Sequence, residues 1–305
     1  MARKLRIEFP GAIYHVISRG NYRKDLFEES GSVASFRRAL FSAAERCGWR
    51  IHAYVVMRNH FHLAVETPQG NLVAGMRWLQ STFANRFNRL HGEVGHVFQG
   101  RYKSLLIEPG QTLLKVVDYI HLNPVEAKIC TLEELDDYAA SSFTAFTQST
   151  VPPPLCRESW LAALGLPDDL SAMKRYREHL AVVAAETMEE REARERRFHH
   201  GWMIGSADYR QAMLERFAEV IARTPQSTRE AQEFREALWE REVQTLLVEA
   251  GKAEDEIARE PKSAPWKVAI ARQLRERTTA TLSWIAARLA MGHPSRVSNL
   301  IHGRV

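Results

Sequence analysis

The first 125 residues switch repeatedly between two hydrophobic periods, and few folds accommodate the resulting order. Ala12 to Arg19 alternates as a strand does. Residues 32–47 place Val33, Phe36, Leu40, Ala43 and Cys47 at helical spacing, and Gly48 ends that stretch. WRIHAYVVM follows as a second strand, with Ile51, Ala53, Val55 and Met57 alternating. Arg58-Asn59 marks a tight turn, and HFHLAVE reads as a third strand. Residues 72–90 set Met76, Leu79, Phe83, Phe87 and Leu90 on one helical stripe. HVFQGRYKSLLIE reads as a fourth strand interrupted at Gly100, and Leu113, Leu114 and Val117 open a third helix. The order β-α-β-β-α-β-α predicts a ferredoxin-like α+β antiparallel sheet with its helices on one face, one extra helix, and the other face left for a site.

Beyond this region the chain changes character. STVPPPLC (149–156) predicts a linker, because three consecutive prolines fit neither a helix nor a central strand. A mostly helical stretch follows, in which MEEREARERR (188–197) reads as a solvated helix face. REPKSAPW (259–266) predicts a second boundary. The expected organisation is therefore residues 1–148, an acidic helical region 149–261, and a basic all-α segment 262–305. Charge follows these limits closely. Residues 1–130 carry 18 Lys and Arg against 10 Asp and Glu, residues 131–261 carry 16 against 26, and residues 262–305 carry 8 against 1. Two basic ends flank an acidic middle, and basic segments of this size release counterions from nucleic-acid phosphates. No apolar run approaches the ~20 residues of a membrane helix, and the N-terminal residues lack the pattern of a signal peptide. Cys47, Cys130 and Cys156 lie far apart with no CxxC pair, which argues against a structural zinc site or disulfide framework and suits a reducing cytoplasm.

Chemistry concentrates on the third strand. Alternation puts His60, His62 and Ala64 on one face and Phe61, Leu63 and Val65 on the other. The apolar set can pack under helices while both imidazoles project together. Two histidines can share a metal ion, or can simply face solvent; the spacing alone leaves both open. In KVVDYIHLNPVEA (115–127), Tyr119 and Asn123 lie four apart on one helical face, away from Leu113, Leu114 and Val117. A phenolate can attack phosphorus, and an amide oxygen can ligate a hard metal. Pro124 disfavours helical geometry at the residue before it, so Asn123 is expected at the last turn.

MRNHFHLAVE resembles the His-hydrophobe-His strand of the HUH single-strand DNA endonucleases. YHVISRGN (14–21), AYVVMRNHFHLAVE (53–66), FANRFNRLHGEVGHVFQGRYKS (83–104) and YIHLNPVEAK (119–128) together resemble the single-tyrosine transposases of the IS200/IS605 type, above all the REP-associated tyrosine transposases. The resemblance covers the first ~140 residues, under half of the chain. Relatives often have Pro where this chain has Arg58. It implies Tyr119 as catalytic nucleophile, and His60, His62 and Asn123 as ligands of a divalent metal, Mg²⁺ or Mn²⁺. It implies cleavage of single-stranded DNA beside a hairpin, leaving a 5′-phosphotyrosine and a free 3′-OH that permits strand transfer. Relatives act as dimers with exchanged helices or as monomers, so a homodimer is compatible with it. A replication-initiator or relaxase-type HUH nuclease, a catalytically idle DNA-binding regulator, and an unrelated metal hydrolase remain as alternatives.

DNA contacts are expected from Arg19 and Asn21 in the turn after the first strand, Arg77, Arg86 and Arg89 off the apolar stripe of the second helix, and Arg101 and Lys103 in GRYKS. Tyr102 reads as strand packing or DNA contact, not chemistry. At the C-terminal end, TLSWIAARLAMGHPSRVSNLIHG (281–303) resembles a helix-turn-helix with a turn about one residue longer than the common form. Ser295, Arg296, Ser298, Asn299 and His302 would face outward on its second helix and could enter a major groove. The competing reading is a helical pair docked on the acidic middle.

Overall fold

The structure is a computed structural model that describes residues 7–222 and 229–302. It divides into two compact units, Arg6–Arg210 and Gln211–Val305.

In the N-terminal unit the expected period switches become β1 (Ala12–Arg19), α1 (Ser30–Cys47), β2 (Arg50–Met57), β3 (His60–Thr67), α2 (Leu72–His91), β4 (Lys103–Ile107) and α3 (Gln111–Glu126). Gly48 closes α1 at φ 63°, in the left-handed region that favours glycine. The strands form one sheet in the order β2-β3-β1-β4-β5, where β5 (Met203–Ile204) adds parallel to β4 and the other pairs are antiparallel. Register sets the two faces. Tyr14, Val16 and Ser18 lie opposite Val65, Leu63 and Phe61, whereas Ile17 and Arg19 lie opposite His62 and His60. The first set packs under α1 and α2. Phe36 meets Phe61 at 4.5 Å between ring centroids, and Phe83 meets Phe27 and Phe98 at 5.2 and 5.7 Å. Gly75 lets α2 cross Trp49; a Cβ there would fall 2.1 Å from the indole.

The opposite face is not left open. α3 lies over it, and short helices follow: α4 (Phe143–Phe146), α5 (Glu158–Ala163), α6 (Leu170–Ala184) and α7 (Met188–His199). α3 is apolar nearly all round, with Leu113, Val116, Val117, Ile120 and Leu122 all buried, so it needs cover on both sides. Trp160 of α5 and Tyr176 of α6, both fully buried, supply the second cover.

Three further expectations are corrected. The proline stretch is not a free linker: the Ile51 N–H donates to the Pro154 carbonyl at 2.9 Å, and the Cys156 N–H donates to the Ile51 carbonyl at 2.9 Å. Prolines lack a donor but keep an acceptor, so a strap of this composition can still pair with the exposed edge of β2. The fourth strand is shorter than HVFQGRYKSLLIE, because only Gly20 and Phe98 bridge before Lys103. The charged run 188–197 is exposed along most of α7, yet Arg194 pairs with Glu126 and Glu186, and the helix ends in a buried Phe198.

α8 (Ala207–Ala222) carries the chain across the division between the units. The C-terminal unit continues with α9 (Arg229–Glu249), α10 (Glu256–Arg259), α11 (Pro265–Arg277), α12 (Leu282–Arg288) and α13 (Pro294–Ile301). Val243, Leu246, Ile270, Leu274, Ile285, Leu289, Val297 and Ile301 share one buried core. REPKSAPW therefore lies inside a packed unit: the buried Lys267 ammonium donates to the carbonyls of Ile257 and Glu260 at 2.7 and 2.9 Å. Among the described residues no helix is long and apolar enough to cross a membrane.

Candidate active site

β3 delivers His60 and His62 to the sheet face beneath α3, and α3 delivers Tyr119 and Asn123 from above. The His62 and Tyr119 rings meet edge-to-face at 5.4 Å, and those of His60 and His62 at 5.1 Å. α3 runs through Pro124 to Glu126, so Asn123 lies in its last turn as expected, one turn beyond Tyr119. The cluster is well shielded: His62 is 1% exposed and Tyr119 3%.

Two residues join that sequence reasoning gives no role. His15 of β1 stacks on His62 at 5.2 Å, with its Nε2 3.0 Å from His62 Nδ1. That contact occupies Nδ1 and turns His62 Nε2 away from β1. His60 is held comparably, its Nδ1 2.9 Å from Asn59 Oδ1. His199, at the end of α7, brings Nε2 to 3.4 Å from the Tyr119 hydroxyl and its ring to 5.7 Å from that of His62. Lys103 donates to the His199 carbonyl, and Phe198 packs 5.2 Å from the Tyr119 ring. Alternation along β1 places His15 on the same face as Arg19, a signal legible in sequence once the register is known. His199 carried only a weak one, a Phe-His-His ending to an otherwise charged helix.

Burial keeps every imidazole here neutral. It pushes His15 down to about 3, helped by His199, and His60 to about 4, helped by Arg19 and His199. Burial, then His15 and His60, hold His62 well below the usual range. Burial raises the Tyr119 phenol, and the nearby Asn123 amide opposes that rise. His60 and His62, neutral and each engaged through Nδ1, keep Nε2 for a divalent cation. Among the described residues no three His, Cys, Asp or Glu side chains are arranged to hold a metal ion. A metal at this face would thus rely on the Asn123 amide beside His60 and His62.

A buried polar relay fixes α3 over the sheet. His121 Nδ1 lies 3.0 Å from the Tyr176 hydroxyl and its Nε2 3.0 Å from Ser142 Oγ, while the Tyr54 N–H donates to Ser142 Oγ at 2.9 Å. Three residues earlier on α3, Asp118 Oδ2 is 2.9 Å from His179 Nε2.

The expected DNA-contact residues separate into groups. Arg19 is exposed, opposite His60 in the register, and Lys103 is half-buried on the same face, opposite Ile17. Asn21 and Arg101 flank the loops that meet there, through the Asn21 N–H on the Val97 carbonyl and the Gln99 N–H on the Arg19 carbonyl, both at 2.8 Å. Arg77, Arg86 and Arg89 are exposed on α2, which covers the opposite face of the sheet. Tyr102 is buried. In the C-terminal unit, Ser295, Arg296, Asn299 and His302 are exposed and Ser298 is half-buried, while Val297 and Ile301 face inward. α12 meets α9 through its own charge: Arg288 donates to both carboxylate oxygens of Glu240, at 2.5 and 2.6 Å.

A helix-borne tyrosine above a paired-histidine strand, in an antiparallel α+β sheet, is the arrangement expected of the HUH class. Residues 9–123 match the family described as "Transposase IS200 like". Two solved structures are similar at low identity. One is a REP-associated tyrosine transposase bound to a REP hairpin, at 20% identity, covering 50% of this chain and 90% of that one with a TM-score of 0.41. The other is a protein from Deinococcus radiodurans R1 assigned as a transposase, at 19% identity, covering 45% of this chain and 98% of that one with a TM-score of 0.29. No curated protein matches.

Proposed function

We propose that the N-terminal unit cuts and rejoins single-stranded DNA beside hairpins through a covalent tyrosine intermediate. The observation that carries this is the seating of Tyr119 of α3 against His62, which in turn lies beside His60 on β3. Tyr119 Oη would attack the scissile phosphorus, the 3′ oxygen would leave, and a 5′-phosphotyrosine would form. A 3′-OH returning to the same phosphorus would reverse the step and join strands. His60, His62 and Asn123 would hold Mg²⁺ or Mn²⁺, and such an ion offsets phosphate charge as the transition state forms. Imidazole donors favour Mn²⁺ over Mg²⁺. Because burial raises the phenol, proton removal matters, and the neutral His199 Nε2 is positioned to accept that proton. Arg19, Lys103, Asn21 and Arg101 would bind phosphates at the mouth of the same face, and Arg77, Arg86 and Arg89 a more distant stretch of the strand. A substrate reaches Tyr119 only if Phe198 and His199 move aside.

A second reading concerns the C-terminal unit: the outward residues of α13, Ser295, Arg296, Ser298 and Asn299, would contact duplex DNA. Their exposure on a short helix packed by its other face supports it.

The test of the main reading uses single-stranded DNA with a hairpin, labelled at its 3′ end, incubated with the full chain and Mn²⁺ or Mg²⁺. Labelled protein should appear, and Tyr119→Phe should abolish it. His60→Ala should stop cleavage while hairpin binding persists. A wild-type chain that binds the hairpin yet forms no adduct is the idle regulator instead. Adduct formation by Tyr119→Phe would assign the nucleophile elsewhere.

A further inference from the structure

About 20 Å along β3 from His60, given six residues at strand rise, a second reactive cluster gathers where the proline strap meets β2. Cys156 is on the strap, Arg50 and His52 are on β2, and Glu66 is on β3. Arg50 NH2 donates to Cys156 Sγ at 3.0 Å. The fully buried His52 sets Nε2 3.3 Å from Glu66 Oε2 and places Nδ1 3.2 Å from Ser159 Oγ. Arg50 also faces Glu66 at 3.5 Å and Glu158 at 3.9 Å. Sulfur, imidazole, guanidinium and carboxylate thus form one connected set. None of these side chains takes part in the tyrosine chemistry.

We propose that Cys156 is a site of reversible covalent modification by small anionic disulfides of the glutathione type. The Cys156 sulfur would attack one sulfur of the reagent, the reagent's S–S bond would break, and the other half would leave as a thiolate that takes a proton from water. Cys156 is oxidised to a mixed disulfide and the departing thiol is the reduced product, so no further oxidant is required. Arg50, exposed beside the sulfur, supplies a cation for the reagent's carboxylates. His52 and Glu66 keep positive charge next to the sulfur before attack. Burial alone would raise the Cys156 thiol, but His52 and Arg50 outweigh it and the group sits below the ordinary thiol range. His52 in turn is lowered by burial and raised more by Cys156 and Glu66.

Two other cysteines serve as internal controls. Cys47 and Cys130 are, like Cys156, half-buried and free, but burial raises both, with Arg46 opposing at Cys47 and Glu134 adding at Cys130. The charged setting therefore separates Cys156 from the other two.

The experiment treats the full chain with glutathione disulfide at neutral pH and maps each cysteine by peptide mass spectrometry over time. Cys156 should acquire glutathione at least about tenfold faster than Cys47 and Cys130, as a lowered thiol would, and dithiothreitol should remove it. Arg50→Gln should slow Cys156 severalfold and leave Cys47 and Cys130 unchanged, which also shows that the fold persists. Equal rates at the three cysteines, or an Arg50→Gln chain as reactive at Cys156 as wild type, would overturn the proposal. His52→Asn is a second variant, expected to slow Cys156 further.

Discussion

The two units handle polar groups in opposite ways. Beneath α3 the N-terminal unit buries imidazoles that carry no charge and bond to one another, His15 to His62 and His121 to Tyr176 and Ser142. The C-terminal unit buries one ammonium, Lys267, on backbone carbonyls and pairs other charges at the rim, Arg288 with Glu240 and Glu254, Arg277 with Glu242, and Lys252 with Glu256 and Glu260. The contrast bears on how segment charge is read. Residues 262–305 look strongly basic in isolation, yet Arg277 and Arg288 are matched by glutamates of α9 and the turn after it. In the N-terminal unit Arg19, Arg77, Arg86, Arg89 and Arg101 stay exposed. Docking on the acidic middle and outward display of α13 are therefore compatible, because different faces of the helix pair carry them.

Acid should separate the units most sharply. His15 and His121 are pushed down to about 3, in both cases chiefly by burial, against roughly 6.5 in an unfolded chain. Above pH ~6.5 neither state binds the proton and the histidines do not affect stability. Below it the unfolded chain takes up protons that the folded one refuses, so stability falls steadily until about pH 3. In the C-terminal unit, Glu240 is lowered by its Arg288 bonds, against burial. Its contribution is present above the unfolded carboxylate value, roughly 4.3, and is lost only as pH falls further. Amide exchange, corrected for intrinsic rates and read on separate peptides, should show β3 and α3 losing protection between pH 6 and 4 (about two units of titration) while α9 and α11 hold. Simultaneous loss, or α9 first, would break the comparison.

How much of this was legible in advance follows from the range of the forces involved. The period switches up to α3 are local, and apart from the fourth strand, which shrank to Lys103–Ile107, each became an element at nearly the expected limits. His60, His62, Tyr119 and Asn123 were legible because they sit on two regular elements with spacings of two and four. The roof over the site was not. His199 arrives from eighty residues beyond Tyr119 on a helix whose polar composition predicts only solvent. Its placement depends on Arg191 and Arg194 meeting Glu126 at the end of α3. β5 has two residues and no period to detect. The strap at 154–156 reads as a linker until its carbonyl finds the edge of β2. The division near residue 210 is equally invisible, since composition changes at 130 and 261 while packing does not.

A smaller effect sharpens what the neutral cluster does. His15→Phe keeps the bulk and the stacking against His62 but removes the nitrogen that engages Nδ1. Losing a partner that orients a ligating imidazole typically costs about 10–100-fold in metal affinity or activity. Adduct formation should fall within that range, and Mn²⁺ binding followed by calorimetry should weaken in parallel. Should adduct formation fall with Mn²⁺ binding intact, His15 would be acting on the phenol rather than through His62.

The smallest expected effect concerns α13. Arg296 is exposed at the start of that helix, and Asn299 lies one turn on with the same outward aspect. If these residues contact duplex DNA, Arg296→Gln removes one phosphate partner. Affinity should drop by roughly three- to tenfold at low salt, and the slope of log affinity against log salt should flatten by about one. Asn299→Ala should leave that slope alone and blur preference among duplex sequences, because an amide reads base edges rather than phosphates. Neither change should alter adduct formation on hairpin DNA, which rests on the other unit. An Arg296→Gln chain with unchanged duplex affinity and unchanged salt slope would reduce the helix pair to a docking element on α9. The exposed arginines of the N-terminal unit would then account for all phosphate binding.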